Sequence, residues 1–207
     1  MPTASEHTPE LTAVDLSCIR AERVLFQKLS FTLPAGKLML VLGANGSGKT
    51  SLLRILAGLS APVEGQVRWN RGPLAASRRD IHYIGHLNGI KEALTPRENL
   101  IVAGALMASE RNSKVDQAIT WCGLDAVSDV PAAALSSGQR RRVAIARLAL
   151  TPARLWVLDE PLTALDDAGK SMVRDLLQTH VQDGGAAVLA THEALQLDGQ
   201  IAVKLEL

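Results

Sequence analysis

The chain has 207 residues, a length that suits one large domain or a core with a subdomain. Hydrophobic residues make up 47% and charged residues 21%, an ordinary globular balance, and a net charge of +1 supplies no global field for nucleic acid. The longest mainly apolar run, 100–108, is far shorter than the roughly eighteen residues of a membrane span, so work at a membrane would need a separate partner. Cys18 and Cys122 are too few and too far apart for a disulfide framework or a zinc site, and they fit a reducing, intracellular compartment.

Residues 1–10 are polar, with Pro2 and Pro9 and no apolar signal segment, and read as a flexible tail ahead of a domain spanning 11–207. Residues 11–19 and 29–33 read as strands, followed by a Pro34-Ala35-Gly36 turn. The continuous apolar run 38–42 is expected of a strand covered on both faces. It leads into Gly43-Ala44-Asn45-Gly46-Ser47-Gly48-Lys49-Thr50, which fits G-x-x-x-x-G-K-[ST], the phosphate-binding loop of nucleoside triphosphatases. A helix over 50–57, beginning with Thr50 and Ser51, completes the strand–loop–helix setting that this motif requires. The glycines let the backbone curl with its N–H groups inward, and the helix dipole adds positive potential. In that setting Lys49 meets the β- and γ-phosphates and the Thr50 hydroxyl holds Mg²⁺.

Short strands are predicted at 66–69 and 81–85. From about 90 to 135 the pattern turns helical, and Thr95-Pro96-Arg97-Glu98 is a capped helix start. This block reads as a helical subdomain inserted in an α/β core. A helix is expected over 136–150, stopped near Pro152, and Leu155-Trp156-Val157-Leu158 reads as a buried strand ending in Asp159-Glu160. A helix over 166–181, a strand over 186–190 and an edge strand over 201–205 complete the chain.

Three further signals carry chemistry. Asp159 is placed to hold Mg²⁺ and Glu160 to polarise the attacking water. Leu135-Ser136-Ser137-Gly138-Gln139 is a serine- and glycine-rich turn opening a helix, hence a second anion-binding nest or simply a helix capped by Ser136 or Ser137. His192, just beyond a strand end, could donate to a γ-phosphate or support the base. The Arg140-Arg141-Arg142 run reads as a solvated helical face, because no interleaved aromatics support nucleic-acid binding.

Together these residues resemble the nucleotide-binding domain of ATP-binding cassette (ABC) proteins, over nearly the whole chain. Residues 43–50 match Walker A, and 155–160 match Walker B with its catalytic glutamate. Residues 135–139 match the Leu-Ser-Gly-Gly-Gln signature, with Ser137 for the first glycine. Thr163-Ala164-Leu165-Asp166 is similar to the D-loop and His192 to the switch histidine. The resemblance implies an α/β fold, a P-loop NTPase core of ABC-ATPase type with an N-terminal antiparallel β-subdomain and an inserted helical subdomain. It also implies an ATPase using ATP and Mg²⁺, in which two copies close head to tail so that each signature turn covers the other's γ-phosphate. Tyr83-Ile84-Gly85-His86, Gly89-Ile90-Lys91, Leu94-Thr95-Pro96-Arg97-Glu98-Asn99-Leu100 and the 137–143 segment further resemble the ATP-binding subunits of the bacterial cytochrome c maturation (Ccm) system, also called haem exporter subunits. That similarity implies a peripheral place on the cytoplasmic face of the inner membrane, beside permease-type CcmB- and CcmC-like partners. A different exported cargo, or a soluble ABC clamp, is the alternative. Two positions depart from the wider ABC pattern: His86 stands where a coupling-loop glutamine is usual, and no aromatic stands near 19–23 to stack on adenine, leaving Arg20 or Arg23 for that task.

Overall fold

The computed structural model describes residues 10–106, 112–192 and 202–207. The tail before Glu10 and Ile201, the expected start of the last strand, lie outside these residues. Strands β1 (Glu10–Arg20) and β2 (Arg23–Pro34) form a long antiparallel hairpin. Its turn, Ala21-Glu22, has φ of 45° and 62°. Such left-handed pairs match the twist of a hairpin, but this one lacks the Asn-Gly signal that would announce it. For that reason β2 begins six residues before the strand predicted at 29–33.

Strand β3 (Leu38–Leu42) and helix α1 (Lys49–Leu56) flank the phosphate-loop motif. Next come β4 (Glu64–Trp69), the short β5 (Gly72–Pro73), a 3-10 stretch (Leu74–Asp80) and β6 (Ile81–Ile84). Helices α2 (Pro96–Leu106) and α3 (Asn112–Trp121) precede α4 (Ser137–Ala146). The predicted cap opens α2: Glu98 N donates to Thr95 Oγ1 at 3.2 Å, and Thr95 N donates to Glu98 Oε2 at 2.9 Å. Helix α4 is shorter than the run predicted over 136–150, because Arg147–Leu150 tightens into a 3-10 turn. Pro152 accounts for this, since it holds Thr151 extended and the turn before it cannot continue as α-helix. Strand β7 (Leu155–Asp159), helix α5 (Asp167–Gln182), β8 (Ala186–Ala190) and β9 (Ala202–Glu206) follow.

Two sheets result. The antiparallel one has the order β2-β1-β4-β5, and the parallel one the order β6-β7-β8-β3-β9. Side-chain alternation divides the parallel sheet between two cores. Leu38, Leu40, Trp156, Leu158, Ala187 and Leu189 pack against the α2–α5 helices. Met39, Val41, Leu155, Val157, Ala186 and Val188 pack against α1 and the antiparallel sheet. Strands covered on both faces read as unbroken apolar runs, which is why β3, β7 and β8 lie within one residue of their predicted bounds. The loops after β3, β6, β7 and β8 all leave from one edge, the C-terminal ends of parallel strands.

Candidate nucleotide site

The loop after β3 needs its glycines for two separate reasons. Gly43, Gly46 and Gly48 have φ of 147°, 80° and 111°, which side chains disfavour. A Cβ at Gly43 would also lie 2.7 Å from the Leu207 carbonyl and 2.7 Å from Ser47 Oγ. Helix α1 starts with no side-chain cap and no acidic residue in its first turn, so its leading N–H groups are free to meet an anion. Lys49 is buried, and its Nζ donates to the carbonyls of Gly43 at 2.8 Å and Ala44 at 2.9 Å. An ammonium has three donors, so one remains. Asn45, Gly46, Gly48, Lys49, Thr50 and Ser51 line a cleft of about 560 Å³, while Gly43, Ala44 and Ser47 shape the loop from behind.

The opposite wall comes from the neighbouring strand ends. Asp159 is 2% exposed, and its Oδ2 is buried without a hydrogen-bond partner. A desolvated carboxylate oxygen facing the same cleft as the Thr50 hydroxyl is the donor set that a hard divalent cation takes, so these residues fit Mg²⁺. Glu160 adopts φ of 50°, with its N–H donated to the Ala190 carbonyl at 2.9 Å. That turn aims its carboxylate at His192, whose Nε2 lies 3.2 Å from Glu160 Oε1. His86 and Thr163 complete this wall. Thr163 brings the first residue of the D-loop-like segment to this wall.

The second turn stands apart. Ser136 Oγ accepts from Gln139 N at 3.2 Å, and Gln139 Oε1 accepts from Ser136 N at 2.9 Å, a reciprocal cap that makes Ser136 the first residue before α4. Leu135 is buried and anchors the turn to the helical core. Ser136, Ser137, Gly138 and Gln139 line a separate hollow of about 460 Å³, together with Arg142 and Asp166. A Cβ at Gly138 would lie 2.7 Å from the Ala164 carbonyl. Asp166 caps α5 by accepting from Gly169 N at 2.9 Å and also pairs with Arg142 at 2.6 Å; both contacts hold its carboxyl below the usual range. Within one chain, residues 136–139 form no part of the cleft around Lys49.

The arginine run differs from its sequence reading. Arg141 is 3% exposed, because carbonyl acceptors on two other loops surround it, so it is not part of a solvated face.

The ABC transporter family model matches residues 26–163. The "Cytochrome c biogenesis ATP-binding export protein CcmA" of Methylococcus capsulatus is 48% identical over 196 residues, covering 91% of this chain and 94% of that protein. The protein of the same name from Nitrosomonas europaea is 46% identical, covering 94% of each. The chain belongs to the CcmA family of ABC ATP-binding proteins. Among solved structures, a putative ABC transporter ATP-binding protein of Pyrococcus furiosus superposes with a TM-score of 0.83 at 22% identity, covering 95% of this chain and 97% of that one. A dimeric ATP-binding cassette bound to ADP and Pi gives 0.77 at 22% identity over 88% of each chain. These likenesses establish the ABC-ATPase fold. As a CcmA-family member the chain is an ATPase.

Both departures from the ABC pattern fall on that cleft. His86 lines it from the loop after β6. Arg20, at the end of β1, lines it as well, and Leu25 closes the same end over Gly48; Arg23 is not among the lining residues. Of the two arginines open to the stacking role in the sequence, the fold favours Arg20. Leu25 is not legible in the sequence, since nothing in Val24-Leu25-Phe26 says which of its apolar side chains faces the phosphate loop.

Proposed function

We propose that this chain is the ATP-hydrolysing subunit of a membrane complex for cytochrome c biogenesis, acting as a head-to-tail pair on the cytoplasmic face of the inner membrane beside permease-type partners of the Ccm system. The observation that carries the reading is the convergence in one cleft of Lys49, Thr50, an unpartnered Asp159 oxygen and the Glu160–His192 pair. The relatives' printed names supply the cytochrome c part, and the absence of any helix among the described residues long and apolar enough to cross a membrane is compatible with a peripheral subunit.

The chemistry follows from the residues. The loop N–H groups and Lys49 neutralise the β- and γ-phosphates and orient the terminal phosphoryl group. Thr50 and Asp159 would hold Mg²⁺, which when bound adds charge neutralisation between those phosphates. Glu160 accepts a hydrogen bond from the attacking water, and His192 fixes the Glu160 carboxylate from one side and reaches the γ-phosphate from the other. The turn at 136–139 then completes the partner's site. To convert a 1:99 open–closed mixture into 99:1, the nucleotide must favour the closed pair by about 5.5 kcal/mol, which a desolvated γ-phosphate bonded from both chains can supply.

The test is deletion of the gene, followed by haem staining of periplasmic c-type cytochromes. Staining should vanish and return with the parental gene but not with a Glu160→Gln copy. Normal staining in the deletion strain would remove the cytochrome c assignment and leave the ATPase standing.

A further inference from the structure

Arg141 is the one buried member of the arginine run, and the roles given above make no use of it. Its guanidinium has five N–H donors in a planar fork, and each meets an acceptor. Nη2 donates to the carbonyls of Asp159 at 2.9 Å and Glu160 at 2.7 Å, and Nε to that of Pro161 at 3.3 Å. Nη1 donates to the Gly85 carbonyl at 3.0 Å and to Asn88 Oδ1 at 3.1 Å. Arg147, further along the same segment, donates to the carbonyls of Asn88 at 2.7 Å and Gly89 at 3.0 Å. Three segments therefore meet at one side chain: α4, the end of β7 with the Glu160 turn that follows it, and the loop that carries His86.

The Glu160 contact has particular weight. A residue with a side chain rarely rests at φ of 50°, and surroundings must hold it there. The peptides on either side of its Cα are clamped, its N–H by Ala190 and its carbonyl by Arg141. Burial pulls the guanidinium pKa below its ordinary value, and the nearby carboxylates of Asp159 and Glu160 pull it back up.

We propose that Arg141 is a positioning residue for hydrolysis: it holds Glu160 in its left-handed geometry and ties that geometry to α4 and to the His86 loop. Movement of α4 when its leading turn engages the partner's phosphate then reaches the catalytic carboxylate through one side chain. The proposal rests on the reading of the cleft as the hydrolytic site and of Glu160 as its base.

The test measures steady-state ATP hydrolysis, affinity for trinitrophenyl-ATP and thermal melting of the full chain. Arg141→Lys keeps the charge and loses the fork. It should lower kcat about a hundredfold, with KM and affinity within about twofold of the parent. Acting through Glu160, it should slow the Glu160→Gln variant no further. Asn88→Ala removes a single acceptor at a partly exposed site, and it carries the test if Arg141→Lys does not fold; it should lower kcat severalfold with the same lack of additivity. Parental kcat in the folded Lys variant, or losses that add to those of Glu160→Gln, would overturn the proposal. If Lys49→Ala or Glu160→Gln itself hydrolysed ATP at the parental rate, the reading of the cleft would fail instead, and the two failures are told apart.

Discussion

The two phosphate-facing turns of this chain are built in opposite ways. The loop at 43–50 leaves the first turn of α1 uncapped, buries Lys49 beside it and faces two carboxylates across a cleft. The turn at 135–139 caps itself: Ser136 and Gln139 satisfy each other's backbone N–H groups, leaving those of Ser137 and Gly138 for anything else. Its hollow includes Arg142, which is already paired with Asp166. In the proposed reading the first turn holds a triphosphate alone. The second can only add to a phosphate that something else already holds. A chain with one complete cradle and one partial cradle, placed in separate hollows, is suited to pairing with a copy of itself.

The contrast can be broken at either end. The largest effect is expected from Lys49→Ala, which should abolish hydrolysis and nucleotide binding together. It also leaves the Gly43 and Ala44 carbonyls without their donor, so melting should report a loss of about 1–3 kcal/mol. Gly138→Val should separate the two turns. Its side chain must displace the Ala164 carbonyl, so hydrolysis should fall on the order of ten- to a hundredfold, while affinity of the single chain for nucleotide stays at the parental level. Equal loss of affinity would mean that the second turn belongs to the first cleft. Arg20→Ala probes the far end of that cleft. Every other polar lining residue belongs to the phosphate loop, the first turn of α1, the end of β7 or the loops after β6, β7 and β8, so in the proposed reading the base is left a guanidinium face and Leu25. Removal of that face should weaken ATP, GTP and CTP alike by about fivefold, the worth of a cation–π contact of about 1 kcal/mol. A loss confined to ATP would point to reading of the base edge.

The last prediction leaves the nucleotide cleft unaffected and concerns the shared scaffold. Burial lowers His82 from 6.5 to about 4, with Arg147 adding to the shift, and burial lowers His180 from 6.5 to about 4. His180 stacks on Trp156 with ring centroids 3.6 Å apart. Both are neutral in the folded chain at pH 7. Below pH 6.5 the unfolded chain binds protons that the folded chain refuses. Stability is therefore full above that pH, falls by roughly 1.4 kcal/mol per unit for each histidine down to about pH 4, and levels off below it. Urea midpoints measured from pH 7 to pH 5 should show this slope, and His82→Gln should halve it.

How much of this the sequence discloses depends on how local each cause is. The phosphate loop is legible because its glycines, lysine and threonine are close together in the chain, and the strands β3, β7 and β8 because burial on both faces leaves them apolar throughout, apart from Asp159 at the end of β7. The capping pairs Thr95–Glu98 and Ser136–Gln139 are legible for the same reason as the loop, each closing over three residues. Arg141 is not. Its acceptors lie 18 to 56 residues away, and nothing in an Arg-Arg-Arg triplet says which side chain will find five of them. The first half of β2 is hidden because Val24-Leu25-Phe26 runs apolar without alternation and follows a turn without glycine or asparagine. Leu25 enters the cleft only through the packing of separate elements.

Cross-linking between different copies tests the pairing most directly. One chain carries Asn45→Cys and another carries Ser137→Cys, both on a Glu160→Gln background. The native thiols Cys18 and Cys122 are buried, and burial pushes Cys122 up to about 12, which keeps it unreactive. With ATP bound to both, the mixture should give a covalent heterodimer that ADP does not support. If ATP occupies both chains and no disulfide joins the two introduced thiols, the composite-site account is contradicted.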